Sequence, residues 1–249
     1  VCRLLGYIGT PLMLSKLIAE PDHSLIVQSY QPREMTAGLL NADGFGIAWY
    51  DRAKAEEPFI YRSELPIWND TNLPSLQRYV CSDCFIAGIR SATPGQGLGI
   101  HNCPPYSYGK FSFIHNGFIE NFRLSLYRPL RSLLKDEFYH LIHGSTDSEH
   151  IFALLMQFYA EQQNLIDALQ NTLTVILDLS AQYGIRSALN VIVSDGNSLV
   201  VSRYASTDPI PSLYFLEDGQ SKIVASESLW QNDRWQVIKP NSIMLFPSN

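Results

Sequence analysis

The sequence predicts an α+β fold in which two packed β-sheets are flanked by helices. Three observations carry that prediction. The chain starts on a compact apolar run, with Leu4, Leu5, Tyr7 and Ile8 inside residues 2–9. Its middle holds two long segments of helical periodicity, and from residue 188 onward short apolar runs alternate with Asp-Gly turns. At 249 residues and 46% hydrophobic content, the chain can bury a full core, and it reads as a single domain over 1–249 with no repeat or linker.

Residues 2–9 form a buried strand in this reading. Short helices follow over 14–20 and 24–30, separated by Pro21-Asp22 and closed by Gln31-Pro32. Asn41-Ala42-Asp43-Gly44-Phe45-Gly46 marks a tight turn entering a strand, where glycine allows close backbone approach, and the chain returns over 59–62. Residues 63–76 read as irregular, with Trp68, Asn69 and Asp70 exposed as a rim or lid. A strand over 85–90 ends on Arg90, a Gly- and Pro-rich loop fills 94–109, and a strand over 111–114 runs into His115-Asn116-Gly117. Helical segments are expected over 121–134 and 137–143. The clearest helix opens at Thr146-Asp147-Ser148-Glu149, with Ile151, Leu154, Leu155 and Phe158 on one face, and another over 165–182 stops at Gly184. Strands over 188–194, 199–204, 213–216, 223–226 and 243–246 complete the chain.

The net charge of -6 comes with no basic stretch, which argues against a nucleic-acid partner. No apolar run is long enough to span a bilayer, and the opening residues lack the features of a signal peptide. Four cysteines without a secretory signal suit a reducing, cytoplasmic setting. Cys81-Ser82-Asp83-Cys84 is half a zinc motif with no second pair, so neither a metal nor another cofactor is implied.

Chemistry concentrates in four places. Without Val1, Cys2 would carry a thiol beside a free α-amine, a nucleophile and a general base on one residue. Such an amine titrates near ~7.7–8.0 and is partly uncharged at neutral pH. Val1 is read as a GUG start, translated as formyl-methionine and clipped ahead of small Cys2; the plain alternative for Cys2 is a small buried strand residue. Arg90, followed by Ser91-Ala92-Thr93-Pro94-Gly95, has room beside its guanidinium for a bidentate ligand carboxylate. Asn116-Gly117 is either a hairpin turn or an oxyanion hole formed by the Asn116 amide and the Gly117 N–H. Asp147 stands in a capping box and in the first turn of a helix, and a carboxylate there could equally receive a substrate ammonium.

Cys2-Arg3-Leu4-Leu5-Gly6, residues 41–46, Ile89-Arg90-Ser91-Ala92-Thr93, His115-Asn116-Gly117 and Thr146-Asp147-Ser148-Glu149 together resemble the class II glutamine amidotransferases. The resemblance spans nearly the whole chain. It implies an N-terminal-nucleophile hydrolase with a four-layer αββα sandwich. Within the family the chain resembles stand-alone members, especially the γ-glutamyl hydrolase type of ergothioneine biosynthesis. The implied substrate is a small γ-glutamyl amide, the γ-glutamyl hercynylcysteine sulfoxide of that route, with a homo-oligomer left open. Cys2 would form a γ-glutamyl thioester, Asn116 and Gly117 would hold the oxyanion, and Arg90 and Asp147 would hold the α-carboxylate and α-ammonium. Trp68, Asn69, Asp70 and Tyr106 are the candidates for the leaving-group rim, with Trp68 and Asp70 foremost. Where many relatives carry Asn-x-His-Pro-Phe, this chain has Asn102-Cys103-Pro104-Pro105-Tyr106, so any contact of that histidine is absent. Three rivals remain: a papain-like thiol hydrolase pairing Cys2 with His101 or His115, a glutaminase subunit feeding ammonia to a separate synthase, and a non-catalytic sensor that keeps Val1.

Overall fold

The computed structural model describes residues 2–34, 40–92, 97 and 99–248. Val1 and the Thr93-Pro94-Gly95 segment expected beside Arg90 lie outside the described residues.

The opening apolar run extends further than its sequence suggests, as β1 (Arg3–Met13). Two short helices follow, α1 (Ser15–Ile18) and α2 (Leu25–Tyr30); Ser24 caps the second by accepting from the Val27 N–H. The glycine-marked turn leads into the hairpin β2 (Phe45–Trp49) and β3 (Phe59–Ser63). The stretch expected to be irregular holds a 3₁₀ turn at Ile67–Asn69 and then α3 (Leu73–Tyr79), with proline in its first turn, where its missing N–H costs nothing. Next come β4 (Cys81–Ile89), β5 (Tyr106–Tyr108) and β6 (Phe111–Ile119). Cys81 and Cys84 sit three apart on β4, an odd spacing that sends their side chains to opposite faces: Cys81 is exposed and Cys84 buried.

Helices α4 (Tyr127–Leu133) and α5 (Asp136–Tyr139) are shorter than their sequence suggests, and α6 (Asp147–Gln162) and α7 (Leu165–Tyr183) match it closely. Helix α7 ends on Gly184 at φ 62°, a left-handed position that glycine occupies without strain. The β-rich end supplies β7 (Ser187–Ser194), β8 (Ser198–Arg203), β9 (Tyr214–Asp218), β10 (Ser221–Ala225), β11 (Gln236–Val237) and β12 (Ser242–Pro247).

The strands form two antiparallel sheets, β11-β9-β10-β1-β4-β2-β3 and β12-β8-β7-β6-β5. Their alternating side chains define the layers. Leu4, Ile8, Ala48 and Ile86 of the first sheet meet Ile114, Ile192, Leu199 and Val201 of the second in one buried cluster between the sheets. The other face of the first sheet packs Leu5, Tyr7, Phe45 and Phe85 against Leu17, Ile18 and Leu25 of α1 and α2. The other face of the second packs Phe113, Leu189 and Val191 against Phe152, Leu155 and Leu173 of α6 and α7. The order is helix, sheet, sheet, helix: the αββα sandwich of N-terminal-nucleophile hydrolases.

Candidate active site

Strand β1 lies inside its sheet, between β10 and β4, so the residue that precedes it is held from both sides. That residue is Cys2. It is half-buried, its Sγ stands 3.9 Å from the Ser91 carbonyl oxygen, and its own carbonyl accepts from Arg3 Nη1 at 3.0 Å. Period-two alternation from Leu4 and Ile8 points the Cys2 side chain into the space between the sheets and Arg3 away from it. Arg3 is buried against Glu227, with Nη2 2.9 Å from Oε1 as a charge contact off the hydrogen-bond line. Glu227 also accepts from His23 Nε2 at 2.6 Å and from the backbone N–H groups of Arg33 and Glu34. Burial drives the Glu227 carboxyl upward, but the His23 bond, the backbone donors and the Arg3 charge outweigh it and bring it down to about 2. Neither Glu227 nor His23 stood out in the sequence, since a buried ion pair leaves no local pattern.

Cys2 opens onto a small cleft of about 350 Å³, which Arg90, Tyr106, His115, Gly117 and Asp147 also line. Five of the sequence-derived candidates, Cys2, Arg90, Tyr106, Gly117 and Asp147, thus meet in one place. Arg90, at the end of β4, is 3% exposed, and among the described residues its guanidinium bonds the Gly97 carbonyl at 3.0 Å and the Asp43 carbonyl at 3.5 Å. Among the described residues no carboxylate pairs with it, so a buried cation faces the cleft without a counter-ion. Asp147, at the start of α6, accepts from the Ile119 N–H at 2.8 Å and the Ser148 N–H at 2.8 Å, which fix its carboxylate at the cleft wall. The capping box forms only in half. Thr146 accepts from the Glu149 N–H at 3.2 Å, whereas the Glu149 carboxylate turns to the N–H groups of His143 and Gly144.

His115-Asn116-Gly117 is no hairpin turn. Strand β6 runs straight through it, pairing Asn116 with Asn190 and Gly117 with Leu189 of β7. Only glycine fits at 117, because a Cβ there would sit 1.8 Å from the Ala188 oxygen and 2.4 Å from His115 Nε2. His115 donates Nε2–H to the Ala188 carbonyl at 2.9 Å, which leaves Nδ1 to accept from the Ser148 hydroxyl at 2.9 Å. Burial depresses its pKa despite the nearby Asp147 charge, and with both nitrogens engaged the ring is a brace for the β6–α6 junction. A papain-like pairing of His115 with Cys2 fails on that geometry, and Cys2 leads a strand where that chemistry wants a helix N-terminus. Asn116 is fully buried and does not itself line the cleft; its Nδ2 is 3.4 Å from Ser226 Oγ.

Of the suggested rim, Trp68 and Asp70 lie elsewhere. Asp70 accepts from the Tyr61 hydroxyl and from the N–H groups of Asn72 and Leu73, which occupies its carboxylate in starting α3. Trp68 packs edge-on against Tyr30 with ring centroids 5.9 Å apart. Neither lines the cleft. Tyr106 does line it, with its hydroxyl 2.7 Å from Thr146 Oγ1. Asn102 was not singled out as a site residue, yet its amide donates to the Gly97 carbonyl and accepts from the Ser145 N–H, tying the Arg90 side of the cleft to the start of α6.

Comparison with known proteins agrees with this geometry. The sequence profile described as glutamine amidotransferases class-II matches residues 12–216, most of the chain though not Cys2 itself. The chain belongs to the class II glutamine amidotransferases. Among its relatives is a protein of Saccharomyces cerevisiae named as a probable glutamine amidotransferase, DUG3, which is 34% identical over an alignment covering 98% of this chain and 81% of that one. The γ-glutamyl-hercynylcysteine sulfoxide hydrolase of Mycobacterium tuberculosis is 29% identical, with 94% of this chain and 88% of that one covered. A solved protein of Silicibacter pomeroyi, described as a glutamine aminotransferase class-II domain protein, superposes with a TM-score of 0.73 at 27% identity, covering 99% of this chain and 95% of that one. The glutamine phosphoribosylpyrophosphate amidotransferase of Bacillus subtilis, at 19% identity and a TM-score of 0.60, shares the fold. Family membership makes this class II amidotransferase an amidohydrolase. Among the described residues, no helix is long and apolar enough to cross a membrane.

Proposed function

We propose that the whole chain works as one hydrolase of γ-glutamyl amides. The observation that supports this best is Arg90: a buried guanidinium with no carboxylate partner among the described residues, on the same small cleft as Cys2 and Asp147. An amino-acid head group supplies the missing anion, and its ammonium meets Asp147. The γ-carbonyl then lies toward Cys2.

In this reading the Cys2 α-amine, freed by loss of Val1, takes the thiol proton while Sγ bonds to the γ-carbon. The carbonyl electron pair moves onto oxygen, which the Gly117 N–H and the Asn116 amide receive. Collapse breaks the C–N bond, the ammonium returns the proton to the leaving amine, and a γ-glutamyl thioester remains. Water adds to the thioester, glutamate departs and the thiol is restored.

On the leaving-group side, the mycobacterial relative favours γ-glutamyl hercynylcysteine sulfoxide as substrate, and with it a role in ergothioneine biosynthesis. The yeast relative's name favours the second reading, a glutaminase that supplies ammonia to a separate synthase. The positions of Trp68 and Asp70 add nothing to either choice. The test is a panel of γ-glutamyl amides and free glutamine compared by kcat/KM. A strong preference for the hercynylcysteine-type amide is expected; equal or better use of glutamine would sink it in favour of ammonia supply. In the same assays Arg90→Ala should raise KM far more than it lowers kcat, because the head group is held alike in ground and transition states.

A further inference from the structure

Among the described residues, one hydroxyl proton near Cys2 has no acceptor and one buried amide oxygen has no donor. Ser226 directly follows β10 and faces Leu4 on β1. The two residues exchange bonds: the Ser226 N–H donates to the Leu4 carbonyl at 3.0 Å, and the Leu4 N–H donates to Ser226 Oγ at 2.9 Å. The Ser226 oxygen is therefore an acceptor pinned two residues from Cys2, and its own proton must point elsewhere. Among the described residues, the other polar group beside that oxygen is the Asn116 amide, 3.4 Å away with Nδ2 turned toward it. A donor then meets a donor's oxygen at long range, while Asn116 Oδ1, wholly buried, has no partner among the described residues.

The two ends of a carboxamide are nearly identical in shape, and the hydrogen-bond network is what assigns them. We infer that Ser226 is a positioning residue for the oxyanion hole: its hydroxyl donates to Asn116 Oδ1 and thereby turns the Asn116 NH2 toward the carbonyl attacked by Cys2. This exchange gives the Ser226 proton its acceptor, gives Oδ1 its donor, and leaves a preorganised N–H for a developing oxyanion. Alternation supports the direction. Ile114 on β6 and Leu4 on β1 both enter the cluster between the sheets, so Asn116 and Cys2, each two residues on or back, project into that same space. The inference rests on the reading of Asn116 as an oxyanion donor, and the experiment separates the two.

Asn116→Ala, Ser226→Ala and the double variant are compared by steady-state kinetics, with thermal unfolding to confirm that each is folded. Asn116→Ala should lower kcat by about 10²–10³, the cost of one lost oxyanion donor. Ser226→Ala should lower kcat about tenfold or more with KM held, and the double variant should be no slower than Asn116→Ala, since Ser226 would act only through that amide. Normal kcat in Asn116→Ala would overturn the oxyanion reading itself. A full effect in Asn116→Ala with none in Ser226→Ala, or multiplicative losses in the double variant, would overturn the positioning role alone. Neutron diffraction on the unaltered protein reads the same point without substitution: a deuteron on Ser226 Oγ directed at Asn116 supports the assignment, and one on Asn116 directed at Ser226 refutes it.

Discussion

Cys2→Ala is expected to reduce turnover to background while the variant still binds glutamate or a γ-glutamyl amide with near-native affinity. The proposed nucleophile stands at the head of β1, whereas Arg90 ends β4 and Asp147 begins α6, so the proposed head-group contacts belong to other elements. Calorimetric titration against a γ-glutamyl amide, beside a rate assay, checks both halves. His115 cannot replace the α-amine as base, because Ala188 and Ser148 engage its nitrogens and burial keeps its pKa low. Intact mass measurement on active protein should accordingly show a chain beginning at Cys2. Full activity with Val1 in place would remove the amine from the mechanism.

Glu227→Gln should destabilise the protein by about 3–5 kcal/mol at neutral pH, the usual result of stranding one partner of a buried ion pair. Arg3 would keep its charge inside the protein, and burial already lowers its pKa against the help of Glu227. The effect should fade in acid. Glu227 titrates at about 2 when folded, below ~4.3 for an unperturbed glutamate. A depressed folded-state pKa gives stability that is complete above the unfolded value and is lost as pH falls through the folded one. The gap in Tm between the native protein and Glu227→Gln should therefore be widest above about pH 5 and narrow as pH falls toward 2. A gap independent of pH would show that packing, and not the charge, is what the substitution disturbs.

Local pattern made most of the architecture legible. Helices α6 and α7 show it in apolar period and caps, and the hairpins near 195 and 219 in Asp-Gly turns, because neighbours in sequence create those signals. The same local logic misled at Asn116-Gly117, where a turn dipeptide lies mid-strand because its partner strand begins at Ser187. It also hid α3, a helix of seven residues with proline in its first turn, and left Asp70 looking like an exposed rim when its carboxylate caps that helix. Cys2, Arg90, Gly117 and Asp147 could be singled out by chemistry, but their meeting in one cleft depends on sheet order. Ser226 carries no signal at all: it lies 110 positions from Asn116, and only the closed sandwich brings the two together.

The placement of β1 has a consequence for how the enzyme comes into being. Strand β1 takes its two neighbours from residues 81–89 and 221–225, so one flank stays open until residues 221–225 have been made. The hydroxyl and carboxylate that fasten its beginning, on Ser226 and Glu227, arrive at that same late moment. Before those residues are made, Cys2 lacks the contacts that hold the start of β1. Closure of the sheet around β1 is thus a long-range pairing that waits for the strand at 221–225.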